Sequence, residues 1–152
     1  MRTLILVSLT VVTAVGQRLA AQAGTDVLEI SMRRTPCLGR CPTYDLTLTR
    51  AGEATYNGVS EATRTGHYRA SIDAAAFVRL ALLLVDGAFF ALDTGYRSAV
   101  TDMPTTFLCM RTTSVARCIR HEGHAGPRVL SSLEDSVDAV ASGLTWAAGA
   151  AR

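Results

Sequence analysis

The chain contains no lysine. All 15 basic residues are arginine, which reads as a coding bias, so no single arginine stands out on that account. No apolar run after the first two dozen residues reaches the roughly 20 residues that a membrane-crossing helix needs. The best of them, Ala74 to Val85, is short and is broken by Arg79. Repeats, low-complexity tails and blocks of like charge are missing too, which excludes solenoid and tail-driven architectures. There is no G-x-S-x-G, P-loop or H-E-x-x-H. The residue pattern therefore names no reaction.

What is present begins at the N-terminus. Arg2 is followed by Thr3 to Gly16, a run of Thr, Ser, Gly and apolar residues, and Ala21-Gln22-Ala23 reads as an A-x-A cleavage site. The expectation is a secretory signal peptide over residues 1–23, with a retained anchor as the alternative. Residues 24–152 then form a single domain of ordinary size. Two arginines, Arg2 and Arg18, leave with the signal, so 13 arginines face 13 acidic residues in the mature chain. A formal charge of zero gives no argument for nucleic-acid or anionic-membrane binding.

Four cysteines in an exported chain predict disulfides, in any of three pairings. Geometry favours the local one. Thr105 to Thr112 and Val115 to His121 read as strands. A turn at Thr113-Ser114 makes Cys109 face Cys118, at a non-hydrogen-bonded position where Cα atoms lie about 4.5 Å apart, within disulfide reach. The same register places Leu108, Met110, Val115, Arg117 and Ile119 inward, and Cys109, Arg111, Ala116, Cys118 and Arg120 outward. Cys37 and Cys41 are close in sequence, and Gly39 allows a tight ring between them.

A redox pair normally reads C-x-x-C at a helix N-terminus. Here the spacing is C-x-x-x-C and a strand follows. A four-cysteine zinc site fails because residues 109 and 118 are too far apart to form one ligand pair. A lipid anchor on Cys37 fails because Arg33, Arg34 and Pro36 precede it.

Val27 to Arg33 and Thr43 to Thr49 alternate apolar and polar residues, as half-buried strands do. In the second, Tyr44, Leu46 and Leu48 face inward. Arg50-Ala51-Gly52 fits a three-residue hairpin loop, pairing Leu48 with Ala54 and Leu46 with Tyr56. Asn57-Gly58 ends or bulges that third strand, and Gly66 to Ser71 forms another. A helix capped by Ser71 or Asp73 runs to about Val85, with Phe77, Leu80, Ala81 and Leu84 inward. Phe89 to Pro104 reads as a long loop. Gly126-Pro127 opens a last helix, with Leu130, Leu133, Val137, Val140 and Leu144 on its apolar face and Ser131, Glu134, Asp135 and Asp138 on its wet one. The order predicts an α+β fold: an antiparallel sheet of about five to six strands with both helices on one face.

The motif Cys37, Gly39, Cys41, Pro42, Tyr44 resembles the C-F-G-x-C-P-x-Y hallmark of an uncharacterised bacterial family, domain-of-unknown-function family 6438. Gly52, Tyr56, Gly66, Tyr96, Asp102, Pro104, Pro127 and Trp146 extend the resemblance over about residues 27–147. Leu38 departs from the usual aromatic, and Cys109 and Cys118 look like additions in this chain. The resemblance implies the fold and an envelope location, with no assigned activity.

His121 and His124 flank Glu122, but without a helix to align them they read as surface-loop residues and not as metal ligands. Asp102 before Met103-Pro104 reads as an Asx turn more readily than as a catalytic carboxylate. Tyr44 and Tyr56 read as core residues with bonded hydroxyls. Long loops often carry binding, so the candidate surface is Tyr96, Asp102 and Arg40, with the Cys37–Cys41 loop placed beside the Phe89 to Pro104 segment. No catalytic residue, metal or cofactor is expected. The function expected is a secreted or periplasmic, disulfide-stapled module, not an enzyme, that binds an unidentified protein or small molecule. The alternative is an envelope enzyme, thiol–disulfide or other, using Cys37 and Cys41.

Overall fold

Strand alternation dominates the first half of the chain, and the computed structural model, which describes residues 26–149, turns it into a sheet. The cleavage site and signal segment lie outside the described residues. The strands are β1 (Val27–Arg34), β2 (Thr43–Thr49), β3 (Glu53–Ser60), β4 (Gly66–Ser71), β5 (Gly95–Tyr96), β6 (Thr105–Thr112), β7 (Ala116–Glu122) and β8 (Ala147–Ala148). Their order across the sheet is β5-β7-β6-β1-β2-β3-β4-β8. Among the described residues two α-helices, α1 (Ala74–Asp86) and α2 (Arg128–Ser142), accompany the sheet.

The fold is α+β, as the order of elements predicts. The sheet is larger than five or six strands and is mixed, because β5 runs parallel to β7. Both added strands, β5 and β8, have two residues each. They are too short to show a period, so Phe89 to Pro104 reads as loop in the sequence. The structure places there a 3₁₀ turn at Phe89–Ala91 and the edge strand β5.

The hairpin registers follow the turn chemistry. Leu48 pairs with Ala54 and Leu46 with Tyr56, closed by Gly52 at φ +90°, a conformation that favours glycine. Cys109 pairs with Cys118, and the Thr112 amide donates to the Val115 carbonyl across the turn. Asn57-Gly58 does not end β3: the strand bulges, and the register slips between Tyr44–Gly58 and Thr43–Ser60.

One core lies between the sheet and the helices. Ile30, Met32, Leu46, Leu48, Leu108, Met110 and Ile119 from the strands meet Phe77, Leu80 and Leu84 of α1 and Leu130, Leu133 and Val137 of α2. Asp73 caps α1, its carboxylate accepting from the Ala75 and Ala76 amides. Gly87 ends that helix and abuts Leu133 of α2. Pro127 stands at the cap of α2, one residue outside the helix.

Val115 is a correction: it is exposed in the turn and takes no part in the core. The tight connection lifts it off the sheet, since pairing begins only at Arg111–Ala116. Arg117 does point inward, at a level that the two-residue β5 leaves open. Its guanidinium donates to the Leu92 carbonyl.

Candidate functional site

Continuing each inward alternation by one step leads to a row of polar residues. After Ile30 and Met32 comes Arg34, before Leu108 comes Thr106, and after Ile119 comes His121. The register aligns them: Thr106 pairs with both His121 and Arg34, Arg34 pairs with Tyr44, and Tyr44 with Gly58. One line across β7, β6, β1, β2 and β3 therefore carries His121, Thr106, Arg34 and Tyr44 on the inner face of the sheet. Glu134 and Asp138, one helical turn apart on α2, meet it from the other side.

The contacts close on themselves. Arg34 donates from Nε to the Tyr44 hydroxyl (2.9 Å), from Nη1 to Thr106 Oγ1 (3.1 Å) and from Nη2 to Asp138 Oδ2 (2.9 Å). The Tyr44 hydroxyl donates to Asp138 Oδ1. Glu134 Oε2 lies 3.8 Å from Arg34 Nη1, and Glu134 Oε1 is 2.8 Å from His121 Nδ1. His121 and Glu134 are both buried. The Nε2 atom of His121 has no partner among the described residues. That favours the tautomer with the proton on Nδ1, donated to Glu134, because an unpaired acceptor costs less in the core than an unpaired N–H.

This corrects two expectations. His121 is a buried strand residue, not a surface-loop one. Glu134 is buried and does not belong to the wet face, whereas Asp138 keeps a partly exposed side chain turned onto Arg34 and Tyr44. A guanidinium and an imidazole on the opposing sheet draw the two carboxylates inward, and propensity alone carries no sign of that. The sequence signal that would have found them is the polar residue at the next inward position of each of three strands.

Burial raises the Glu134 pKa, with His121 and Arg34 opposing and Asp135 adding to the rise. Burial likewise pushes the Tyr44 phenol well above its ordinary range, so Tyr44 is protonated and donates to Asp138. A carboxyl whose folded pKa is raised adds stability below the ordinary carboxylate range and loses it as pH rises through the raised value. The stability of the natural chain minus that of Glu134→Gln should therefore shrink from acidic to neutral pH in urea unfolding. A difference that grows with pH would mean that His121 and Arg34 outweigh burial.

Beside this network lies a cleft of about 340 Å³ lined by Arg34, Pro42, Tyr44, Tyr56, Thr63, Arg64, Asp138, Ala141 and Ser142. Tyr44 and Tyr56 stack with ring centroids 5.1 Å apart, and Tyr56 meets Trp146 at 5.7 Å. The Trp146 indole N–H donates to the Ala141 carbonyl (2.9 Å), fixing the ring at the end of α2. The Arg64 guanidinium lies over three rings, 5.4 Å from the centroid of Trp146 and 5.7 Å from those of Tyr56 and Tyr68.

Gly58 makes this arrangement possible. A Cβ there would stand 1.8 Å from the Arg64 carbonyl oxygen, a clash with backbone that no rotamer relieves. The turn over residues 61–65 therefore folds onto β3 only because position 58 is glycine.

All four cysteines are bonded, Cys37 to Cys41 and Cys109 to Cys118. The second bond lies on the outer face of the sheet, as the register predicts. It borders a groove whose floor includes Ser31, Thr47 and Phe107; the nearby ions there, Arg33 and Asp45, are paired with each other.

Arg40 is exposed and pairs with Glu61 (3.0 Å). Asp102 is exposed at φ +62°, and its carbonyl accepts from the Leu38 amide (3.3 Å), so the cysteine ring does touch the segment before Pro104. Tyr96 packs partly against the core, and its hydroxyl accepts from the Asp93 amide. Asp102 lines a surface hollow with residues 98–103, Thr105, Arg120 and Glu122; neither Tyr96 nor Arg40 contributes to it. Among the described residues, no cluster of three or more His, Cys, Asp or Glu could hold a metal. No described helix is long and apolar enough to cross a membrane.

A family model for a domain of unknown function, DUF6438, matches residues 28–141. The chain belongs to the DUF6438 family. The DUF6438 match covers the cysteine ring, the whole polar row and the facing Glu134 and Asp138 of α2, and leaves Trp146 just beyond its end. A search of curated proteins finds no match.

Proposed function

We propose that the mature chain is an exported, disulfide-stapled binding domain, not an enzyme, and that it holds a small organic ligand in the cleft between Arg34 and Arg64. The observation that carries this reading is the cleft itself. Its volume of about 340 Å³ falls among those of small-molecule sites, which run from about 300 to 1,000 Å³ and combine apolar walls with a few convergent polar groups. The walls are set before any ligand arrives. Stacked rings form one side, and the Arg34–Tyr44–Asp138 cycle fixes the other.

The same cycle favours binding over turnover, since each of its charged groups is already held by a protein partner. Both cysteine pairs are bonded, so the chain presents no thiolate. Cys37 and Cys41 precede a strand, without the helix N-terminus that activates redox cysteines. Export is supported by the signal pattern of residues 1–23 and by the even, fully paired cysteine count.

The protein recovered from an exporting bacterium without denaturation should carry a small molecule in native mass spectra, released on unfolding. Ser142→Trp, which fills the cleft from an exposed position, should lose it. A protein that carries nothing, or a ligand that survives Ser142→Trp, would contradict the reading.

A further inference from the structure

The lining of the cleft is uneven in one respect. Each nitrogen of Arg34 already donates to a protein acceptor, and both oxygens of Asp138 already accept. Arg64 differs: no carboxylate among the described residues lies within ion-pair distance of it. Three aromatic faces hold its cation. Faces of that kind stabilise the charge without using the N–H edge, so the guanidinium fork is fixed in place and unspent.

The position is also built. Gly58 admits the turn that carries Arg64, and Trp146, pinned to the Ala141 carbonyl, supplies one of the three rings. Asp138 and Glu134 already offset Arg34, so the uncompensated charge lining the cleft is that of Arg64, which favours an anion. A cationic ligand would meet Arg64 and would find Asp138 occupied.

Resting on the cleft as the binding site, we propose that its ligand is a small organic anion. A carboxylate or phosphate takes the fork of Arg64 in two parallel hydrogen bonds, and a flat or apolar body lies against Pro42, Tyr56 and Ala141. Arg64 is the residue that selects the charge of the ligand. The stacked tyrosines select its shape.

Trp146 is the only tryptophan in the chain, so its indole N–H gives one unambiguous nuclear magnetic resonance signal at the site. The oxidised, isotope-labelled protein is titrated with benzoate, phenyl phosphate, benzyl alcohol and benzylamine. Benzoate, phenyl phosphate or both should shift the signal saturably, and the comparison between them tells carboxylate from phosphate. Arg64→Gln should weaken that binding by about tenfold or more, the worth of one charge-assisted hydrogen-bond pair. Arg64→Lys, which keeps the charge and loses the fork, should fall between. Gly58→Ala should weaken binding like Arg64→Gln, and Arg40→Gln should leave it unchanged.

Benzyl alcohol or benzylamine binding as tightly as the anions would overturn the anion assignment and leave the cleft standing as a binding site. Four probes without a saturable shift would also overturn it; the reading of the cleft would then rest on whether a ligand is retained through purification. Anion binding that survives Arg64→Gln would remove Arg64 from the role.

Discussion

Removing both disulfides should lower the unfolding free energy by about 5 kcal/mol. On the chain-entropy account, the five-residue ring from Cys37 to Cys41 contributes roughly 2 kcal/mol and the ten-residue loop from Cys109 to Cys118 roughly 2.7. The bonds close separate loops in different parts of the sheet, so their effects should add. A domain of this size is stable by only about 5–15 kcal/mol in total, so the loss is a large share of the whole. Urea unfolding of Cys37→Ser/Cys41→Ser, of Cys109→Ser/Cys118→Ser and of the combination separates the contributions. The hairpin pair should cost more than the ring pair. A ring pair that cost clearly more would mean that it orders more of the chain than its own loop, through the Leu38 contact with Asp102.

Arg34→Met should cost about 3 kcal/mol, with Tm falling on the order of 10 °C. Methionine fills much of the volume but leaves Glu134, Asp138, Tyr44 and Thr106 without their shared donor. Removing one partner of a buried ionic set costs about 3–5 kcal/mol, because the remaining charge stays desolvated. The lower end applies here because the Asp138 side chain is 38% exposed and water partly compensates it. Arg34→Lys should recover little of the loss, since one ammonium cannot reach three acceptors spread over β2, β6 and α2. Glu134→Gln added to Arg34→Met should recover part of it by removing the most buried of the stranded charges. A loss below about 1 kcal/mol for Arg34→Met would place the network among surface pairs of little weight.

Local rules carried the sequence reading where they act on neighbours in the chain. The Gly52 turn and the period-two pattern determine which of Leu46, Leu48, Ala54 and Tyr56 meet, and the structure pairs them as the rules require. The same counting brings Cys109 opposite Cys118. The rules fail where partners come from distant segments. Arg34, Thr106, His121, Glu134 and Asp138 belong to four elements, and each alone reads as a polar strand end or a solvated helix face. Only the order β7-β6-β1-β2 brings them into one row.

The edge strands escaped for a different reason, since two residues cannot show a period. Arg64 was unreadable as a site residue because its position depends on Gly58 admitting a backbone turn, an effect of tertiary closeness that spacing does not record. Loop position and residue type point to Tyr96, Asp102 and Arg40 but do not record which side chains converge. The ring does reach Asp102, while Arg34, Tyr44, Tyr56 and Arg64 form the more convergent set.

Oxidation outside the cytoplasm is the premise on which both staples rest. Its most direct test is the intact mass of the chain recovered from an exporting bacterium, before and after reduction. The account predicts a chain that begins at Gly24 and gains two hydrogens for each of its two disulfides when reduced. A chain still beginning at Met1 and unchanged in mass by reductant, with four free thiols, would contradict it.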